Sequence, residues 1–199
     1  MGKRVAIVGT GQTRGRSARR DVNGQEIINE AVIEALKDAD LTMDDIDAVV
    51  IGNMDHFEGI NYTEAWSVDG SGGYMKPIFK VCTGGTTGST VAMAAYYHVA
   101  SGYFDKVLAI GWEKNSESDT TGAIITAFEP VWDRPTLPGA VGGLAIMGTR
   151  YIHLYGAKEE DAAMVAVRDR GHALNNPYAH LQLELTVEDV MNSPMIAYP

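Results

Sequence analysis

Short apolar runs alternate with longer segments of helical period along the first part of the chain. Val5-Ala6-Ile7-Val8 predicts a buried strand ending at Gly9. After a polar, basic connection, Asn23 and Glu26 have the spacing of a capping box. Ile28, Ala31, Val32, Ala35, Leu36 and Ala39 then recur at helical spacing, with Glu30, Glu34, Lys37 and Asp38 on the other positions. Ile46 to Ile51 predicts a second strand, stopped by Gly52. Residues 53–77 are irregular and rich in glycine, asparagine and aromatics, and Ile78 to Val81 predicts a third strand. Gly84 to Ala100 reads as a helix of small residues, apolar almost all round, which predicts a central element covered on every side. Lys106 to Gly111 predicts a fourth strand. Strands alternating with helices imply an α/β fold with a mainly parallel sheet covered by helices.

The pattern changes after Ser118. Pro130, Pro135 and Pro138 punctuate a stretch with no strand signal. Helical periods follow at Ala140–Leu154 and Glu159–Leu174, the second stopped by Asn176-Pro177, and Thr186 to Val190 reads as a short capped turn. The expected division is a core domain over residues 1–118 and a mostly helical loop or lid domain over 119–199.

Composition narrows the class. Of 199 residues, 45% are hydrophobic and 21% charged, the balance of a soluble globular protein. A net charge of −10 argues against nucleic acid as a partner. Residues 1–20 carry six of the sixteen Lys and Arg and no acid, a cluster that suits a solvated loop or a phosphate-facing one. Val81 to Phe104 is free of charge over 24 residues but holds four glycines and many hydroxyls, too polar for lipid, so no membrane span is expected. With no secretory pattern at the start and a single cysteine, a reducing, cytoplasmic setting is the expectation.

The sharpest chemical feature is Cys82. It follows a predicted strand and precedes Thr83-Gly84-Gly85-Thr86-Thr87-Gly88, which opens a helix. Unpaired N–H groups at a helix start favour a thiolate, and the small neighbours give a substrate room. The same spacing also fits a small buried structural cysteine. Gly9-Thr10-Gly11 does not complete a dinucleotide fingerprint, because Arg14 stands where the third glycine belongs and the helix starts too late. His56, His98, His153, His172 and His180 form no metal spacing, and His98 reads as a packing residue on an apolar helix.

Several segments in register resemble thiolases, most closely the sterol-carrier-protein and archaeal branch. They are Val5 to Thr13 with the helix after it, Val81-Cys82-Thr83-Gly84-Gly85, Gly111-Trp112-Glu113-Lys114-Asn115-Ser116, and Met147-Gly148-Thr149. Asn176-Pro177-Tyr178 and the stretch from Thr186 to Ala197 keep the family's order. The resemblance implies that Cys82 takes an acyl group from a coenzyme A thioester and that Met147 lines the acyl pocket. It implies no metal or redox cofactor, the substrate bringing coenzyme A. Ile146 stands where biosynthetic thiolases have a histidine.

Thiolases carry a second half that supplies the activating histidine, a second acid/base cysteine and part of the oxyanion hole. The resemblance therefore implies an N-terminal fragment or one component of a split enzyme. It also implies a homo-oligomer built through the first strands and the 53–77 region, and it brings in a zinc-ribbon and OB-fold protein as a partner of this branch. Two other readings share the fold: a retro-aldolase, and a non-catalytic subunit that binds acyl-CoA.

Overall fold

A computed structural model describes residues 4–136 and 139–199. Pro138, one of the prolines expected to punctuate the second part, lies outside the described residues. The chain forms two compact units: one runs to Thr13 and resumes over Ala18–Asp119, and the other comprises Arg14–Ser17 with Thr120–Pro199.

In the first unit, helix α1 (Gly24–Ala39) starts at the expected capping box. The Asn23 side-chain oxygen accepts from the Glu26 N–H at 2.9 Å, and the Glu26 carboxylate accepts from the Asn23 N–H at 2.7 Å. Two otherwise orphaned donors are thereby satisfied. Strands β1 (Ala48–Gly52), β2 (Ile78–Val81) and β3 (Val107–Gly111) form a parallel sheet in the order β2-β1-β3. All five residues of the central strand β1 are buried, as a strand covered on both faces requires.

Side chains alternate across β1 and divide its two faces. Val49 and Ile51 join Ile28 and Val32 of α1 and Ile110 of β3 in the core, with Leu36, Met43, Ile78, Leu108 and Trp112 packed around them. Burying each such aliphatic side chain contributes about 1.5–3 kcal/mol. The opposite face receives helix α4 (Thr87–Ala100), whose Thr87 and Val91 are buried. Gly52 allows that approach: a Cβ there would lie 2.2 Å from Val91 Cγ2 and 2.9 Å from Thr87 Cγ2. Gly52→Ala should therefore destabilise the fold by about 1–3 kcal/mol, read as a lower urea midpoint at unchanged m-value.

Two expectations are corrected here. The apolar run Val5–Val8 is not a strand. It pairs with no strand among the described residues, with Ile7 87% and Val8 67% exposed. Gly9 and Gly11 press instead on α1, where a Cβ would fall 2.6 Å from the Ala35 carbonyl oxygen and 2.0 Å from that of Ala31. Thr10 donates to the Asp38 carboxylate through both its N–H (2.9 Å) and its hydroxyl (3.3 Å). A cleft of about 740 Å³ separates residues 4–11 from β3, so no strand lies within pairing distance of them among the described residues. The second correction concerns α4, which is not covered on all sides. Met93, Tyr96 and Tyr97 are 50–60% exposed, because the sheet meets only one face of the helix.

Residues 53–77 hold two single-turn helices, α2 (Thr63–Trp66) and α3 (Val68–Ser71), the latter packed on α1. Gly70 N–H donates to the Gln25 side chain at 2.6 Å, and the Asn29 amide donates to the Gly70 carbonyl at 3.3 Å.

The second unit is helical: α5 (Thr120–Ile125), α6 (Gly139–Tyr155), α7 (Glu159–Ala173) and α8 (Val187–Met191). Helix α5 packs on α6, and α7 on α8. Thr186 caps α8 reciprocally, its hydroxyl accepting from the Asp189 N–H while the Asp189 carboxylate accepts from the Thr186 N–H. The short leg from Arg14 to Ser17 is tied in by the Gly15 N–H, which donates to the Tyr178 carbonyl at 2.9 Å.

Candidate active site

Ligands of open parallel sheets gather at the carboxyl ends of the strands. Cys82 stands there, one residue beyond β2, and its side chain is exposed. A 3₁₀ turn over Gly84–Thr86 intervenes before α4 begins, so the thiol sits one turn ahead of the helix rather than on its first residue. Hydroxyls hold this turn in shape. Thr87 Oγ1 accepts from the Thr83 N–H at 3.0 Å and donates to the Gly84 carbonyl at 2.7 Å, and Thr83 and Thr90 share a hydrogen bond of 2.7 Å. Gly84 has φ of +62°, which favours glycine. A Cβ added at Gly84, Gly85 or Gly88 would meet nothing within 4 Å, so the turn beside the thiol faces open space.

The neighbouring strand ends carry a polar cluster that residue-by-residue reading did not single out. Asn53, the residue after β1, is fully buried. Its amide donates to the Trp112 carbonyl at 2.9 Å and to the Glu113 carboxyl at 3.2 Å. Glu113 accepts from the Met54 N–H at 2.6 Å, and Glu58 accepts from the Lys114 N–H at 2.5 Å. Burial pushes the Glu113 carboxyl up to about 7; the Met54 hydrogen bond opposes this, while Glu58 and Asp55 add to it. Asp55 pairs with Lys80 of β2, which is also 3.8 Å from Glu64. Burial works to raise the Asp55 carboxyl, but its bonds to Lys80 and Thr63 prevail and hold it below its ordinary value. A signal was present in the sequence: Asn53 directly follows a strand-ending glycine, and Glu113 lies two residues past another.

Met147 lies on α6 of the second unit and is 66% exposed, beside Ile146 at 59%. Next to it, Gly148 approaches Pro199, and the Thr149 hydroxyl donates to the Ala145 carbonyl at 3.0 Å. Cys82 and Met147 thus belong to different units. His98 is held within the first unit, its Nδ1 2.6 Å from the Ala94 carbonyl oxygen and its ring packed against Phe79 and Phe104. Among the described residues no group of three or more His, Cys, Asp or Glu side chains could hold a metal ion, and no helix is long and apolar enough to cross a membrane.

A parallel sheet flanked by helices, with a thiol at the carboxyl end of one strand, defines an α/β protein with a candidate nucleophile where such folds bind ligands. Residues 5–190 match the family model described as "Thiolase, N-terminal domain", and the chain belongs to that family. It is 35% identical over 201 residues to an acetyl-CoA acetyltransferase of Methanothermobacter thermautotrophicus, covering 98% of this chain and 51% of that protein. It is 31% identical over 215 residues to the 17-hydroxy-3-oxo-4-pregnene-20-carboxyl-CoA lyase of Mycobacterium tuberculosis, covering 98% of this chain and 52% of that one. Among solved structures, the "Ltp2-ChsH2(DUF35) aldolase" superposes with a TM-score of 0.75 at 32% identity, over 98% of this chain and 50% of that one. The chain spans about half the length of these relatives.

Proposed function

We propose that the chain supplies the acyl-accepting part of a thiolase-type acyltransferase that makes or cleaves a carbon–carbon bond of a 3-oxoacyl-CoA. The observation that carries this reading is the exposed Cys82 thiol at the carboxyl edge of the sheet, beside a glycine turn open to solvent, in a chain of the thiolase family. In the acylation step the Cys82 sulfur, as thiolate, attacks the carbonyl carbon of an acyl-CoA. A new C–S bond forms, the thioester C–S bond breaks, and coenzyme A leaves as its thiolate and takes a proton. Dividing the reaction this way is covalent catalysis, and the later condensation or thiolysis needs a base and a stabilised oxyanion. Met147 is assigned to the acyl pocket by the family resemblance alone.

Incubation with acetyl-CoA should release one equivalent of coenzyme A and give one acetyl adduct per chain by intact mass, located on Cys82 and absent from Cys82→Ala. No adduct on a folded chain at about pH 8.5, where a thiol without an activating base is already half ionised, overturns the acyl-cysteine mechanism.

The similarity to a lyase and an aldolase supports a second reading, retro-aldol cleavage of an acyl-CoA without an acylated cysteine. Carbon–carbon cleavage that survives in Cys82→Ala would assign the protein there. The two-part name of the aldolase supports a partner protein for this chain, for which we propose the zinc-ribbon and OB-fold type. Exposed Tyr62, Trp66, Tyr74 and Met75 support self-association through residues 53–77. A free, exposed thiol suits a cytoplasmic setting.

A further inference from the structure

Beyond the last residues of β1 and β3 the backbone ladder gives way to side chains. Trp112 N–H still donates to the Gly52 carbonyl at 3.1 Å. From there the two chains exchange carboxyl groups: Glu113, from the β3 side, accepts the Met54 N–H, and Glu58, from the β1 side, accepts the Lys114 N–H. Between them lies the fully buried Asn53 amide, whose nitrogen is 3.4 Å from Glu58 Oε2 and 3.2 Å from Glu113 Oε2, so the two carboxyls converge on one donor group. Two carboxylates drawn to one buried amide repel each other, and a proton on one of them removes that repulsion. The crossing is therefore tightest while one proton is held there.

We propose that Glu113, protonated where it converges with Glu58 on the Asn53 amide, makes the two a positioning pair, a clasp that holds the segments leaving β1 and β3 together and loosens when the proton is lost. The β1 segment carries Asp55, which is bonded to Lys80 two residues before Cys82, so the clasp bears on the strand end that presents the thiol. Asp55 holds a left-handed backbone (φ 62°) in this segment, a conformation that surrounding contacts must maintain.

The charges around Glu113 leave the proton as the balancing group. From the β1 segment it faces Glu58 and Asp55, with His56 in the same loop. On its own segment the Lys114 ammonium is paired with Glu117, and from β2 the Lys80 ammonium is paired with Asp55 and lies near Glu64. Both lysines thus bond other carboxylates.

The sign of the pH dependence follows. The Glu113 carboxyl is raised in the closed state to about 7, so that state binds more protons than an open one between the ordinary carboxyl range and about 7. The clasp is fully stable below that window, weakens through it as pH rises, and changes no further above it.

The test is hydrogen exchange of the Met54 and Lys114 amides in the full chain between about pH 5 and 8, corrected for intrinsic rates. Protection should fall by roughly tenfold to a hundredfold up to about pH 7 and then level off. Glu113→Gln keeps an oxygen for the Met54 N–H and turns an N–H toward Glu58, so its protection should be flat with pH. Glu58→Gln removes the opposing charge, and its decline should end at lower pH. Carbon-13 titration of the glutamate carboxyls needs no variant and should show one side chain still protonated at about pH 6. Flat protection in the unmodified chain, the same decline in Glu113→Gln, or full ionisation of every glutamate by that pH would overturn the proposal. None of these readouts depends on acyl transfer.

Discussion

A protein consisting of residues 1–199 alone should accept an acyl group on Cys82 and then stop. Attack on a thioester needs an accessible sulfur and room for the substrate, and the exposed Cys82 beside Gly84, Gly85 and Gly88 provides both. Finishing the cycle is more demanding. A proton must leave the α-carbon of the second substrate, and the oxyanion that develops must be held. General acid–base groups contribute roughly 10²–10⁴-fold each and an oxyanion donor roughly 10²–10³-fold. The resemblance to thiolases assigns these groups to the second half of the family's chain, and the residues here span about half the length of the relatives. Without them, steady-state release of coenzyme A should fall to background while the single adduct still forms. Following coenzyme A release and intact mass in the same sample separates the two events. Sustained turnover by these residues alone would overturn the expectation and redirect the search for a base to His56, His153, His172 and His180, since His98 is engaged in packing.

The largest loss of stability from a single truncation should come from Ile51→Ala. Ile51 is fully buried at the centre of the sheet, in register with Ile110 on β3 and with Lys80 on β2, and clustered with Ile28 and Val32 of α1. Its neighbours belong to separate elements fixed by the parallel ladder, so the site has little freedom to collapse. Removing the side chain forfeits its transfer free energy and leaves a cavity, together about 2–5 kcal/mol. Domains hold only about 5–15 kcal/mol in all, so the denaturant midpoint should drop by a large fraction of its value. A change below about 1 kcal/mol would mean that the α1–sheet contact is not the centre of the core.

What was legible in the sequence was mostly local. The Asn23–Glu26 box announces α1 because its bonds join residues three apart. Ile78–Val81 and the end of the fourth run at Gly111 follow from short apolar stretches bounded by turn residues. Val5–Val8 has the same apolar pattern as the central strand, yet one run is buried and the other exposed. The difference lies in a neighbouring strand, which a run of residues does not encode. The all-round apolarity of Gly84–Ala100 likewise shows what the helix tolerates, not what covers it. Cys82 could be placed because strand, thiol and glycines are contiguous. The Glu58–Glu113 contact was hidden because it joins residues far apart in sequence that meet only once β1 and β3 are in register.

The cleft between residues 4–11 and β3 has a consequence for handling the protein. Among the described residues no backbone hydrogen bond crosses it, so β3 presents donors and acceptors along its outer edge next to exposed Ile7 and Val8. An open edge of this kind is a template for any extended chain that reaches it. Pairing with the same edge of a second copy closes into a symmetric pair, whereas pairing with an unlike segment propagates. Concentration favours both outcomes, and solubility becomes a property of what occupies that edge.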